Sequence, residues 1–360
     1  MKLATVVLAA MAAAGSGAMG LEKRIVGGSA VSDSAAAGQY AFVTNIIVNG
    51  RDGAAACTGA LISSTVVLTS ASCVADPVSN KPLVVSRIAV GRGNLAALLG
   101  GSSGGGDADL SKAEAAGYVS PQSIAVHPGY DSVAHSDNIA VLTLPRALAN
   151  STGDGAVAKL ITKPSTAAKA AYTAVGWGTT SASDASAYPS HLQRVQLTVG
   201  ANSTCTDIWA PYASLTNTLC LVPAKSSANV CSGDGLLVKQ ASDKKSVGLA
   251  GILNMVAAKK DVPAEKCTED GVADFFTTFG NYLGWLTQVT PLNETDFVAT
   301  ASFSYNTPDP ADDGSSKSAG DDEDDGGKLD SASDSGVAGR RISVLAALAA
   351  AAAAAGGAML

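Results

Sequence analysis

The chain has 360 residues, of which 47% are apolar and 15% are charged. It is therefore too apolar for an intrinsically disordered protein and long enough to bury a large core. The net charge of -7 has the wrong sign for binding the nucleic-acid backbone, so we expect no nucleic acid among its partners. Residues 301–360 hold ten acidic and four basic residues, which places most of the negative charge at the C-terminal end.

Residues 1–18 predict a secretory signal peptide. Lys2 is followed by an apolar run of Ala, Val and Leu. The small residues Ser16-Gly17-Ala18 end this run, as small residues do at a signal-peptide cleavage site. An N-terminal membrane anchor is the alternative, but the run is short for a span of about 20 residues. We interpret residues 19–24, which end in a dibasic pair, as a short propeptide. Secretion would permit disulfide bonds.

Between the two ends, short runs rich in Val, Ile, Leu and Thr alternate with Gly, Ser, Pro and Asp. Examples are Ala41 to Val48, Ile139 to Leu144 and Leu192 to Val199. Regularly spaced short strands predict an all-β barrel or sandwich. The Gly-rich segment Asn94 to Gly117 is interpreted as a flexible surface insertion, and Asn281 to Val289 predicts a late amphipathic helix.

The chain ends in a polar segment and an apolar tail. Residues 300–340 are rich in Ser, Gly and Asp, which predicts a disordered acidic stalk. Residues 341–360 are an Ala-rich apolar tail, and small residues at Ser331-Ala332-Ser333 precede it. This pattern matches a glycosylphosphatidylinositol (GPI) attachment signal, which would tether the protein to the outer cell surface. A transmembrane helix and a weakly apolar tail are the alternatives.

The cysteines are even in number and predict a disulfide framework. They are Cys57, Cys73, Cys205, Cys220, Cys231 and Cys267. None forms a close CxxC pair of the kind that binds metal, so we expect no metal or other cofactor. Spacing alone does not choose among the possible pairings.

Several short motifs stand in an order that resembles one family. They are Ile25-Val26-Gly27-Gly28 after Lys23-Arg24, Thr58 to Ile62, Val67 to Cys73, His127-Pro128-Gly129-Tyr130, Asp137 to Leu142, Gly176-Trp177-Gly178, and Cys231 to Gly235. The ordered set resembles the chymotrypsin/trypsin-like serine proteases over residues 25–290. The resemblance implies two antiparallel β-barrels, a C-terminal helix and three disulfides. These would pair Cys57 with Cys73, Cys205 with Cys220, and Cys231 with Cys267.

The resemblance also shows where the catalytic machinery departs from the family. Such proteases need a nucleophilic serine, a histidine base and an orienting aspartate. The resemblance places Ser72 at the histidine position and Gly235 at the serine position, which leaves Asp137 as the remaining triad member. A serine hydroxyl is no useful base near neutral pH, and glycine has no side chain to acylate. His135 as a surrogate base with the Ser232 hydroxyl is the alternative.

Two further parts of the apparatus are implied. Cleavage after Arg24 would free the Ile25 amino group to pair with Asp234, which would order the oxyanion-hole N–H groups of Gly233 and Gly235. Signal trimming by a dibasic-specific protease is the alternative explanation of that cleavage site.

The specificity pocket is expected to be altered. Its floor position is Asn229, so the resemblance implies that the carboxylate selecting Lys or Arg is missing. Its edge is Asn254-Met255-Val256. We expect the Val256 side chain to narrow or close the pocket.

Three Asn-x-Ser/Thr sequons, at Asn150, Asn202 and Asn293, are candidate glycosylation sites. We expect at least one to carry a glycan.

Three functions remain open. The first is a secreted, surface-tethered, non-catalytic homologue that binds another extracellular protein. Its triad losses are similar to those of glucanase inhibitor proteins, so an inhibitor of a secreted enzyme fits this hypothesis. The second is a residual or unconventional endopeptidase. The third is a surface adhesion or scaffold module that presents loops such as Asn94 to Gly117.

Overall fold

The computed structural model describes residues 25–298 apart from residues 52, 93, 100–105, 149–155, 179–187, 225–228, 231–234, 242–246, 261 and 263–269. The predicted signal peptide, propeptide, stalk and tail all lie outside the described residues. In the described part of the chain, no helix is long and apolar enough to cross a membrane.

The described residues form mainly β-strands and a few short helices. The strands are β1 (Ile25–Val26), β2 (Ser29–Ala30), β3 (Val43–Gly50), β4 (Gly53–Ser63), β5 (Val66–Thr69), β6 (Ile88–Gly91), β7 (Ser123–Val126), β8 (Ala140–Thr143), β9 (Leu160–Ile161), β10 (Ala171–Gly176), β11 (Gln193–Val199), β12 (Thr218–Pro223), β13 (Asn229–Val230), β14 (Leu236–Gln240), β15 (Val247–Ala258), β16 (Val272–Thr277) and β17 (Phe297–Val298). The α-helices are α1 (Asp33–Ala37), α2 (Ala71–Val74), α3 (Leu95–Leu99), α4 (Leu110–Ala115), α5 (Asn202–Ile208) and α6 (Leu283–Val289).

The first barrel is an antiparallel six-stranded sheet in the order β6-β3-β4-β5-β8-β7. Its strands are rich in β-branched and small residues, which pack well on a pleated surface. Ile46, Leu61, Leu68 and Leu142 are completely buried in its core. The disulfide Cys57–Cys73 joins β4 to α2, so the short helix that carries Ser72 is held against the barrel wall.

The second barrel is a nine-stranded sheet in the order β14-β10-β11-β12-β16-β15-β9-β17, with β2 added to β11. Its pairings are antiparallel except those of β9 with β15 and β17, which are parallel. The disulfide Cys205–Cys220 joins α5 to β12. The two-barrel prediction and the first two cysteine pairings are therefore confirmed, whereas Cys231 and Cys267 lie outside the described residues.

The two barrels meet along a shared apolar and hydrogen-bonded boundary. The first core cluster extends to Leu236 and Ile252 of the second sheet. The backbone N–H of Trp177, after β10, donates to Thr58 Oγ1 on β4 at 3.0 Å. The predicted C-terminal helix is confirmed as α6, whose Leu286 is buried in the same cluster. Asn138 is hydrogen-bonded to both Ser72 and Asn254 at this boundary.

The segment Asn94 to Gly117, predicted to be a flexible surface insertion, contains a short helix at each of its described ends. Leu95 and Leu99 lie four residues apart on α3, so they face the same side, and both are buried. Ala113 of α4 is buried as well. These ends are therefore packed helices and not a flexible insertion, because apolar spacing on each helix supplies a face for the core.

Candidate functional site

Ser72 and Asn138 form the centre of the site. Ser72 lies on α2, just after β5, and Asn138 lies two residues before β8, its neighbour in the sheet. The Ser72 N–H donates to Asn138 Oδ1 at 2.8 Å, and Asn138 Nδ2 donates to Ser72 Oγ at 3.1 Å. Asn138 is buried. Neither side chain ionises near neutral pH, so this pair does not exchange a proton as an imidazole–carboxylate pair does.

Asn254 extends this pair across the boundary between the barrels. Asn138 Nδ2 also donates to the Asn254 backbone oxygen at 3.2 Å and to its Oδ1 at 3.0 Å. Asn254 Nδ2 in turn donates to the His135 carbonyl at 2.8 Å. Two hydrogens on Asn138 Nδ2 thus serve three oxygens. The result is a neutral amide network linking the first barrel to β15.

Asp137 faces a different part of the molecule. Its Oδ1 accepts from the Tyr282 hydroxyl at 2.7 Å and from Asn217 Nδ2 at 3.4 Å, and its Oδ2 lies 3.9 Å from His127 Nδ1. The structure therefore corrects the sequence-based assignment of Asp137. The residue that orients a catalytic base must hydrogen-bond to the base position, and the side chain in contact with Ser72 is that of Asn138.

Gly235 stands directly before β14 and is buried. A Cβ atom built there would lie 3.7 Å from the Val175 carbonyl oxygen and 3.7 Å from Val230 Cγ1, which are ordinary contact distances. Packing against the described residues therefore does not require glycine at this position. The neighbouring predicted residues Ser232, Gly233 and Asp234 lie outside the described residues.

The beginning of the domain is buried in the second barrel. Ile25 is almost completely buried and packs in one core cluster with Val230 and Val256. Strand β1 pairs with β13, which places Ile25 opposite Val230 and Val26 opposite Asn229. The predicted partner of the Ile25 amino group, Asp234, is not among the described residues, so the activation pair stays a prediction.

A buried carboxyl group that the sequence did not reveal lies beside Asn229, the predicted pocket floor. Asp274 on β16 is completely buried and pairs with Val256 on β15. Burial raises its pKa well above the usual range, and the Asn229 side chain and Val230 N–H oppose that shift. Among the described residues, neither Asp274 oxygen has a partner with full hydrogen-bond geometry. The only sequence signal was one Asp in an otherwise apolar strand.

The predicted pocket edge is largely filled. Val256 is 7% exposed and lies in the core of the second barrel. Met255 is half-buried and packs against the cluster that contains Phe275, Trp209 and Tyr212. Asn229 at the floor is completely buried. These positions face protein atoms, and the narrowing of the pocket stays a prediction.

The histidines make structural contacts in the described region. The His135 ring packs edge-on against Trp209, and burial lowers its pKa. His127 packs edge-on against Tyr282 and Trp285. Burial lowers the pKa of His127, against the opposite effect of Asp137. The lowered pKa favours the neutral form of the His135 ring, although the Asp131 charge opposes the shift, and the proposed partner Ser232 lies outside the described residues.

Two of the predicted glycosylation residues are described, and both are exposed. Asn202 is the first residue of α5. Asn293 Oδ1 accepts from the Thr295 N–H at 2.9 Å. Asn150 lies outside the described residues. The use of these sites stays a prediction.

Comparison with known proteins agrees with this geometry. The family model described as Trypsin matches residues 25–286. Trypsin alpha of Drosophila melanogaster is 30% identical over 214 residues, which cover 59% of this chain and 72% of that protein. Trypsin alpha of Drosophila erecta and trypsin delta of Drosophila melanogaster are each 28% identical over the same shares.

Proposed function

Because the chain belongs to the trypsin family of serine proteases, we propose that it is a non-catalytic member which acts by binding another extracellular protein. The observation that carries this proposal is the set of residues at the three triad positions. Ser72 stands for the base, Asn138 for the orienting carboxylate and Gly235 for the nucleophile. Each replacement removes a different chemical step.

The three replacements each remove a different part of the proteolytic mechanism. Without a side chain at residue 235, no acyl-enzyme forms there, and without an imidazole at residue 72, no group takes and returns the proton. Asn138 carries no charge that could stabilise an imidazolium. Backbone N–H groups and substrate binding alone supply only a slow residual rate.

Binding is the activity that such a fold retains. Loops on a rigid barrel scaffold are suited to contacting other proteins, and the barrels here keep their cores and two disulfides. The predicted signal peptide and GPI signal support a secreted protein tethered to the outer cell surface. Within this proposal, the bound protein is in one case another secreted enzyme, which the chain would inhibit.

The test compares turnover by the chain processed at Arg24 with that of two rebuilt variants. We expect neither hydrolysis of a mixed peptide library nor labelling by a serine-reactive fluorophosphonate in the wild type. Turnover that disappears in His135→Gln or Ser232→Ala would contradict the proposal and identify a rebuilt active site.

The rebuilt variants separate the three triad positions. Ser72→His with Gly235→Ser restores a base and a nucleophile, and the triple variant adds Asn138→Asp. An amide in place of the orienting carboxylate costs about 10⁴-fold in rate. We therefore expect the triple variant to react with the fluorophosphonate about 10³- to 10⁴-fold faster than the double variant. Equal rates would show that Asn138 is not the orienting position.

A further inference from the structure

Three large apolar side chains in the described part of the chain stand mostly in solvent. Val78 is 74% exposed, Val84 is 65% exposed and Val133 is 87% exposed. A single exposed valine needs no explanation. Two of these three, however, lie in turns that contact each other.

Val78 and Val133 are brought together by hydrogen bonds between their turns. The Ser132 hydroxyl donates to the Pro77 carbonyl at 2.8 Å. The Ser132 N–H donates to Asn80 Oδ1 at 3.2 Å. Pro77 directly precedes Val78, and Ser132 directly precedes Val133. Each valine is therefore the next residue after one partner of the Ser132–Pro77 hydrogen bond. We call Val78 and Val133 the valine pair.

In each of the two turns, an aspartate side chain accepts hydrogen bonds from two backbone N–H groups that follow it. Asp76 Oδ1 accepts from the N–H groups of Val78 at 3.1 Å and Ser79 at 2.8 Å. Asp131 Oδ1 accepts from those of Val133 at 2.8 Å and Ala134 at 3.0 Å. These backbone bonds lower the pKa of both carboxyl groups. The valine pair is therefore presented on ordered turns, which reduces the entropy lost when a partner binds.

The turns of the valine pair are linked along the chain to the residues around Ser72. Asp76 follows α2, the helix that carries Ser72. His135 follows Val133 by two residues, and its carbonyl accepts from Asn254 in the amide network. The turn of Val133 is thus bonded through His135 to that network.

We propose that the valine pair, with the Asp76 and Asp131 carboxylates beside it, is a docking surface for a partner segment that combines apolar side chains with Lys or Arg. This inference rests on the proposed binding function. Exposed branched side chains supply apolar contact area. The Oδ2 atoms of Asp76 and Asp131 accept no hydrogen bond from a described residue. The charges of Arg51 and His135 add smaller contributions to the lowered pKa of Asp76 and Asp131 respectively, but no described residue forms an ion pair with either carboxylate. Basic side chains are the groups that complement them.

The test uses a phage-displayed library of random peptides selected on the purified, Arg24-processed chain. We expect the selected peptides to place apolar residues next to Lys or Arg. The variant Val78→Lys with Val133→Lys should weaken their binding by about tenfold or more, because it removes the apolar contact and repels the basic side chains of the peptides. Val84→Lys is the matched control, since it makes the same change at the third exposed valine, and it should leave binding unchanged.

The outcomes distinguish this inference from the proposed function. Selected peptides that bind the double Lys variant as tightly as the wild type, peptides without basic residues, or no selected peptides would each overturn the docking surface. Val78→Ser with Val133→Ser should also weaken binding in a protein of unchanged melting temperature, which excludes unfolding as the cause. Hydrolysis of the library by the wild type would overturn the non-catalytic proposal instead.

Discussion

Asp137 and Asn138 are adjacent in sequence, but their side chains serve different parts of the molecule. Asp137 has a φ of +47°, a left-handed conformation that is uncommon outside glycine and tolerated best by Asp and Asn. Its carboxylate contacts Tyr282 near α6, whereas the Asn138 amide contacts Ser72. Residue type alone favours the carboxylate as the triad member. Only the backbone direction reveals that the amide occupies that place.

Asp274 leads to a prediction about stability and pH. Burial raises its pKa in the folded protein, so the folded state holds a proton at pH values where the unfolded chain, with a pKa of about 3.9, has lost it. Its contribution to stability is therefore complete below that unfolded pKa and declines as the pH rises toward the folded pKa. Asn at this position carries no proton to lose. We expect Asp274→Asn to become progressively more stable than the wild type from about pH 4 to pH 8.

Urea unfolding across that pH range measures the difference. Asp207→Asn is the control, because Asp207 is an exposed carboxylate on α5. Parallel stability curves for the wild type and Asp274→Asn would show that the Asp274 carboxyl does not hold a proton in the folded state.

At the level of elements, a hydrogen bond to Asp137 joins the turn before α6 to the loop before β8. Tyr282 lies in the turn that leads into α6 and is buried, and its hydroxyl donates to Asp137 Oδ1 at 2.7 Å. His127 and Trp285 pack against each other beside it. Tyr282, directly before the C-terminal helix, is therefore held to the loop before β8 by a hydrogen bond to a carboxylate inside an aromatic cluster.

Tyr282→Phe removes that bond, together with the bond that Asn217 Nδ2 donates to the Tyr282 hydroxyl, while preserving the ring. A hydrogen bond to a charged acceptor contributes about 1.5–3 kcal/mol, so we expect a loss of about this size in the free energy of unfolding. In the Asp137→Asn background the same change should cost less, because the charged acceptor is already gone. Tyr212→Phe is the control, since the Tyr212 hydroxyl bonds to no described residue. Equal losses in both backgrounds would contradict the coupling.

At the scale of the whole molecule, each barrel carries its own described disulfide. Cys57–Cys73 closes a separation of 16 residues in the first barrel, and Cys205–Cys220 closes one of 15 in the second. Loops of nearly equal length restrict the unfolded chain to a similar degree. The two crosslinks lie in separate barrels, so their effects should be independent.

Replacing both cysteines of one pair by alanine should therefore lower the free energy of unfolding by about 3 kcal/mol for either pair. Combining the two replacements should give the sum of the separate losses. Chemical denaturation of the three variants measures this. A combined loss far from the sum would show that the disulfides act on a common structure in the folded or unfolded chain.

The sequence by itself determined the fold class. Short, regularly spaced strands indicate an all-β protein, and the ordered motifs resemble a family with two barrels; the same resemblance is the basis for proposing that Ser72 and Gly235 stand where a base and a nucleophile are expected. The pairings of Cys57 with Cys73 and Cys205 with Cys220 followed from the resemblance and are present in the structure. These features depend on residue type and order along the chain.

Only the tertiary structure decided which side chains meet. It assigned the place beside Ser72 to Asn138 and brought Asp274 of β16 beside Asn229 of β13. It also joined the turns of Val78 and Val133, which are far apart in sequence. Side-chain direction and strand register fix such contacts, and neither is a property of residue type. Residue types can therefore be read from the sequence, but which of them share a site depends on the folded structure.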